Sequence, residues 1–289
     1  MYAEQQNSRT VTEVQASQRL WVPPTGVLGQ IIAAARQRLA SMPSRDRRAV
    51  ERRATDQAAP PSFAAALADG PEVAVIAEVK RRSPSRGDIR PGLAADDQAR
   101  RYAEGGARAI SVLTEESHFG GSLADLESVS RAVPLPVLRK DFTIDPFHLL
   151  EARGYGASAV LLIARALSPT QLATLYRAAG QLNLECVVEV RSEAELELAL
   201  QLSPGLIGVN SRDLETLEVD HGVRAHLLSR IPAGVVAIAE SGVSSADDVR
   251  AAAAFGADAV LVGSSLSAAA DPSAAVRELT GVRRVPRRG

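Results

Sequence analysis

GADAVLVGSS, residues 256–265, is the third occurrence of one phrase, after GGARAISVLT at 105–114 and GASAVLLIA at 156–164. Each sets a glycine a few residues ahead of an apolar, β-branched run. A glycine that ends a helix, a short turn and then a buried strand form the junction of a repeating α/β unit. Five more runs share the character of these strands: VAVIAEV (73–79), PVLRKDF (136–142), ECVVEV (185–190), LIGVN (206–210) and VVAIAES (235–241). With AISVLT (109–114), AVLLIA (159–164) and AVLVGSS (259–265) they make eight. The segments between them are long enough for helices, and some, such as SEAELELALQL at 192–202, have helical periodicity. Near-continuous apolar strands that alternate with helices call for a parallel sheet covered on both faces. Eight even units predict a closed α/β structure, a (β/α)8 TIM barrel over 73–280. A doubly wound open sheet is the alternative, but no GxGxxG follows the first strand.

The flanks read differently. Residues 1–25 are polar and are expected to form a flexible tail. GVLGQIIAAARQRLA (26–40) places Leu28, Ile31, Ile32, Ala35 and Leu39 on one helical face, so 26–72 is read as an N-terminal helical extension. A polar, basic, proline-containing stretch runs from there to about residue 62. Residues 281–289 form a basic C-terminal tail.

Composition narrows the function. The 289 residues are 46% hydrophobic and 23% charged with a net charge of −1, which suits a large soluble core and disfavours nucleic acid. The basic runs at 36–53 and 283–289 carry no interleaved aromatics for base stacking. A single cysteine, Cys186, rules out a disulfide framework and reads as buried and inert. No segment approaches the ~18 apolar residues of a membrane span. The first 20 residues lack the apolar core of a signal peptide, so a cytoplasmic location is expected. The histidines at 118, 148, 221 and 226 have no HxH or HExxH spacing, and no metal site is expected.

The basic residues divide unevenly: of 33, 31 are Arg, and Lys80 and Lys140 are the two Lys. Arginine is a fixed charge, whereas lysine can give up its proton when its surroundings allow. Both lysines fall at the C-terminal ends of predicted strands, where barrels carry their chemistry. The other strand ends carry Glu78, Glu189, Asn210 with Arg212 beyond it, then Glu240-Ser241-Gly242, and Gly263-Ser264. Glu78 and Lys80 are two apart and share a face. Glycine and serine ahead of the last two helices suit an anion on backbone N–H groups, and Arg212 can add a charge-assisted contact. Phe119 and Phe142 follow adjacent strands, and Pro84 follows Lys80, offering a wall for a flat aromatic group. Together these residues describe acid–base chemistry on a phosphorylated sugar derivative.

In order and spacing, IAEVKRRSPSRG, LTEESHFGGSLADL, PVLRKDF, LECVVEV, IGVNSRDLETLEVD, AIAESGVS and VLVGSSL resemble the segments of the indole-3-glycerol-phosphate synthase family of tryptophan biosynthesis, over residues 73–266. The resemblance implies ring closure, decarboxylation and dehydration of 1-(2-carboxyphenylamino)-1-deoxyribulose 5-phosphate, with no cofactor. It implies Lys140 as the general acid for closure. Lys80 pairs with the substrate carboxylate, Glu189 handles a proton at the ring and in dehydration, and Glu78 positions the lysines. Asn210 and Ser241 bond near the reacting sugar, and Ser83 supports its loop. Arg212, Gly242, Gly263 and Ser264 hold phosphate, and Pro84, Phe119, Phe142, Leu161, Leu214 and Val262 surround the anthranilate ring. Partners would be this phosphorylated aromatic aminosugar and other enzymes of the pathway. A class I aldolase using Lys140 as a Schiff base and a barrel that only binds are the rival readings.

Overall fold

Eight parallel strands close into a barrel in a computed structural model that describes residues 21–287. They are β1 Ala74–Val79, β2 Ala109–Leu113, β3 Val137–Lys140, β4 Ala159–Ile163, β5 Glu185–Val190, β6 Leu206–Asn210, β7 Val236–Glu240 and β8 Ala259–Val262. Each pairs with the next in sequence, and β8 returns to β1 with Ala74 opposite Ala259 and Ala77 opposite Val262. The open-sheet alternative is thereby excluded. Apart from the end residues Lys140 and Glu185, every strand residue is buried, as expected for a sheet covered by helices on the outside and by its own side chains within.

The helices are α1 Gly26–Ser41, α2 Ser44–Asp56, α3 Phe63–Ala68, α4 Ala95–Glu104, α5 Glu116–Phe119, α6 Leu123–Ala132, α7 Pro146–Gly154, α8 Pro169–Gln181, α9 Glu193–Leu200, α10 His221–Leu228, α11 Ala246–Ala254, α12 Ser264–Ala268 and α13 Pro272–Arg277. The repeated phrase has one structural cause. Gly106, Gly156 and Gly256 have φ of 97°, 87° and 89°, which disfavours any residue with a Cβ. In each case the next N–H reaches back five residues, from Ala107 to Tyr102, Ala157 to Ala152 and Ala257 to Ala252 at 2.9–3.1 Å. That bond satisfies a helix-end carbonyl and turns the chain into β2, β4 and β8. Side-chain caps mark the starts. Ser168 and Ser245 form reciprocal capping boxes with Gln171 and Asp248. A two-stranded hairpin, Arg82–Ser83 with Gly87–Asp88, interrupts the loop after β1.

The N-terminal extension holds more helix than its sequence suggests, because α2 lies within the stretch read as polar and basic. Only Val50 and Ala54 of α2 are buried, too few for an apolar pattern to stand out. It packs on α7 through Gly154, where a Cβ would lie 3.1 Å from Arg53 Cβ and 3.2 Å from Ala54 N. Leu28, Ile31 and Ile32 of α1 join the main core, and Leu39 meets Val50 and Phe147 in a smaller one. The flexible-tail reading falls, for residues 1–20, outside the described residues. The basic C-terminal segment lies against the barrel as far as Arg287, which pairs with Asp258 at 2.8 Å. Among the described residues no helix is long and apolar enough to cross a membrane.

A buried charge network ties the extension to β3. Arg139 donates to the His148 carbonyl (2.7 Å), Asp141 (2.8 Å), Glu151 (3.1 Å) and Thr114 Oγ1 (3.1 Å). Arg38 of α1 grips the two oxygens of the same Glu151 at 2.6 and 2.8 Å. Burial raises the Glu151 carboxyl, and the two arginines outweigh it and hold the group below its usual range. Removing one partner of a buried pair strands the other, so Glu151→Ala is expected to cost about 3–5 kcal/mol in urea unfolding. Arg38→Ala, at the half-exposed end of the network, should cost about 1 kcal/mol or less.

Candidate active site

The C-terminal mouth of the barrel opens into a cavity of about 450 Å³. Its lining includes Glu78, Lys80, Ser83, Pro84, Phe119, Lys140, Phe142, Leu161, Glu189, Asn210, Arg212, Leu214, Ser241, Gly242, Gly263 and Ser264. The strand register explains this convergence. Residues two apart share a face, so the last inward residue of each strand reaches the same rim.

Val262 is the exception and corrects the sequence reading. It does not line the cavity, whereas Leu261 and Gly263 on either side of it do. Alternation along β8 turns Leu261 inward and Val262 outward. Residues that the sequence left unassigned also enter. Val27 and Ile31 of α1 line the mouth, so the extension is part of the site wall. The i, i+4 spacing of these two residues was visible, but the helix's approach to the mouth was not. Glu240 was legible as a strand end and received no role.

Lys140 Nζ lies 3.2 Å from both Glu189 Oε2 and Glu240 Oε2. Burial alone would lower this ammonium, but Glu189, Glu240 and Glu78 together hold it above its ordinary value. Glu189 is oriented from its other side, where Asn210 Nδ2 donates to Oε1 at 3.2 Å. Asn210 Oδ1 accepts from Ser241 Oγ (2.8 Å) and Arg212 N (2.9 Å), which fixes the amide. Ser241 adopts φ 62°, strained for a non-glycine residue, and Gly242 follows at φ 68°. The turn is held by Ser211 and Arg224, which donate to the Ser241 carbonyl at 3.1 Å each. It places Ser241 and Gly242 on the cavity.

Lys80 forms a second pair, with Nζ 2.7 Å from Glu78 Oε1. Gly263 lies directly beneath it: a Cβ there would be 2.3 Å from Glu78 Oε1 and 2.8 Å from Lys80 Nζ. That glycine therefore serves the Glu78–Lys80 pair as well as any anion. The Phe119 and Phe142 rings stand 6.2 Å apart at 38°, forming one apolar wall. Arg212 donates to the Leu217 carbonyl at 2.8 Å, which steadies its guanidinium at the rim. Cys186 is buried away from the site, with its thiol pushed up to about 12 by burial.

Glu240 is the unusual group. Burial, with the Glu189 charge added, pushes its carboxyl up to about 8 against the pull of Lys140. Unfolded, a glutamate titrates near 4.5, so between these values the folded protein holds the extra proton. The stability this confers is fully present below about 4.5 and is lost as pH rises through about 8. Glu240→Gln mimics the protonated group. Urea unfolding of wild type between pH 5 and 9 should therefore lose stability relative to this variant, and parallel curves would show that the carboxyl titrates normally.

The comparisons with known proteins agree with this geometry. A family model described as indole-3-glycerol phosphate synthase matches residues 28–279. A protein of that name from Mycobacteroides abscessus is 49% identical over 209 residues, covering 72% of this chain and 77% of its own. One from Mycobacterium ulcerans is 45% identical and covers 89% of this chain and 94% of its own. Among solved structures, thiamine phosphate pyrophosphorylase from Pyrococcus furiosus (TM-score 0.54, 17% identity) covers 72% of this chain and 93% of its own. 3-Hexulose-6-phosphate synthase from Salmonella typhimurium (TM-score 0.55, 16% identity) covers 72% and 96%. At such identities these two share the fold alone. The chain belongs to the indole-3-glycerol phosphate synthase family.

Proposed function

We propose that the chain is a carbon–carbon lyase that converts 1-(2-carboxyphenylamino)-1-deoxyribulose 5-phosphate to indole-3-glycerol phosphate, CO2 and water. The observation that carries the reading is Lys140, an ammonium held between Glu189 and Glu240 at the mouth of a cavity with an aromatic wall. Ring closure requires a proton on the sugar carbonyl oxygen as the aryl carbon attacks the carbonyl carbon. An ammonium kept charged by carboxylates can supply that proton. The same charge argues against the aldolase alternative, since a Schiff-base lysine must be a neutral amine to attack.

The remaining roles follow from position. Lys80 is aimed by Glu78 and pairs with the substrate carboxylate, which leaves as CO2 once the new ring bond has formed. Glu189, held by Asn210 and Lys140, takes the ring proton while Lys80 gives a second proton to the former carbonyl oxygen, by then a hydroxyl, which departs as water. Glu240 keeps Lys140 in place and shares its proton. Asn210 and Ser241 offer hydrogen bonds to the sugar hydroxyls. Arg212, the backbone of Gly242 and Gly263, and Ser264 at the start of α12 receive the phosphate. Pro84, Phe119, Phe142, Leu161 and Leu214 enclose the anthranilate ring, with Ser83 anchoring the loop that carries Pro84. Other tryptophan-pathway enzymes as partners and a cytoplasmic location are proposed on the family resemblance alone.

Two measurements test this. Lys140→Arg keeps the charge but removes the usable proton, so kcat should fall by about 10²–10⁴-fold. Lys80→Arg should also be damaging through misplacement of the carboxylate, while exposed Arg177→Lys should change little. Following indole fluorescence on substrate addition reads all three, and full turnover in Lys140→Arg would sink the acid assignment. Arg212→Met should raise KM by about ten- to a hundredfold, the worth of a charge-assisted bond, with kcat little changed. An unchanged KM would move the phosphate elsewhere.

A further inference from the structure

Gly208 lies in the interior of β6, two residues before Asn210 and on the same inward face. It is not among the residues with positive φ, so backbone conformation does not call for glycine there. A glycine inside a strand weakens it and marks a place where something approaches closely. Here the approaching group is a side chain. A Cβ at 208 would lie 2.1 Å from Glu240 Oε1, 3.2 Å from Glu240 Cδ and 3.1 Å from Val187 Cγ1. Any other residue would collide with the carboxylate. Glu240 Oε1 is buried without a hydrogen-bond partner, and Oε2 is the atom 3.2 Å from Lys140 Nζ.

We propose that Gly208 is a positioning residue for the reaction: its missing side chain is the notch that seats Glu240 Oε1 and so aims Glu240 Oε2 at Lys140. The notch explains two facts at once. It lets a glutamate from β7 lean across β6 toward the acid on β3. It also leaves Oε1 buried without a polar partner, in a space that Val187 borders, which favours a carboxyl that carries a proton. The charged groups facing Glu240 are Lys140 and Glu189, with Glu78 beyond Lys140, itself paired to Lys80. This inference rests on the reading of Lys140 as the general acid. Gly205, three residues before Gly208 and just ahead of β6, provides a contrast, since a Cβ there meets nothing within 4 Å.

The test is a set of variants read by kcat, KM, thermal midpoint and the pH profile of kcat. Gly208→Ala should lower kcat by on the order of 10²-fold, as displacements of about 1 Å in catalytic groups do, and shift the pH profile. KM should stay near wild type, and Gly205→Ala should change none of these. Glu240→Asp is shorter by one methylene. It should harm the wild type yet recover about tenfold or more of kcat in the Gly208→Ala background, a reversal of sign that general strand damage cannot produce. Wild-type kcat and pH profile in Gly208→Ala would overturn the proposal, as would a loss that Glu240→Asp does not relieve. If Gly208→Ala fails to fold, Gly208→Ala with Glu240→Ala must fold, and its failure would also overturn the notch. If Lys140→Arg turns over at full rate while the sign reversal persists, the acid assignment fails and the notch stands. If Lys140→Arg is inactive and no reversal is seen, the notch fails alone.

Discussion

Everything at the mouth depends on closing the barrel between β1 and β8. These strands are nearly two hundred residues apart in the chain, yet they pair in register from Ala74–Ala259 to Ala77–Val262. Side chains fasten the seam just above the last pair. Ser267 Oγ donates to the Glu78 carbonyl at 3.1 Å and accepts from Lys80 N at 3.3 Å, and Tyr102 donates to the same carbonyl at 3.2 Å. The seam therefore sets Glu78 and Lys80 directly over Gly263. An open sheet would leave that pair at one edge and the Gly263–Ser264 turn at the other, with no shared cavity.

A closed barrel also decides which charges can be afforded inside. Ions are costly to bury unless partnered, and the protein meets this on both faces of β3. Adjacent residues point opposite ways. Arg139 faces the helical layer and is satisfied by Asp141, Glu151, Thr114 and the His148 carbonyl. Lys140 faces the interior and is satisfied by Glu189 and Glu240. One strand thus carries one cation outward to the helices and another inward to the cavity. Their partners differ accordingly. Arg139 spends four of its five donors in a planar fork, while Lys140 is an ammonium whose proton can be passed on.

The extension links these two layers. Arg38 on α1 shares Glu151 with Arg139, and Val27 and Ile31 of the same helix line the cavity. One helix is thereby held by the charge network behind β3 and supplies apolar wall in front of it. The α2 helix secures the arrangement through its close packing at Gly154 and the Arg53–Glu127 pair at 2.5 Å.

Local sequence determined the strands, the turns into them and most of the rim. Buried parallel strands must be apolar, glycine must end helices that turn left-handed, and chemistry must sit at strand ends, so each of these leaves a trace within a few residues. Lys80 and Lys140 stood out because lysine is otherwise absent from an arginine-rich chain. Tertiary structure alone decided which groups meet. Glu240 was visible as a strand end, but its reach to Lys140 depends on Gly208, one strand away, having no side chain. Val262 and Leu261 look interchangeable in sequence, and only the tilt and register of β8 choose which one faces in. The α2 helix lacked an apolar stripe because what holds it is close packing at Gly154 and one ion pair to a distant residue, Arg53 to Glu127. The division has a physical basis: burial and backbone geometry act on neighbouring residues, whereas a pair of charges or a notch is a relation between strands that only closure brings together.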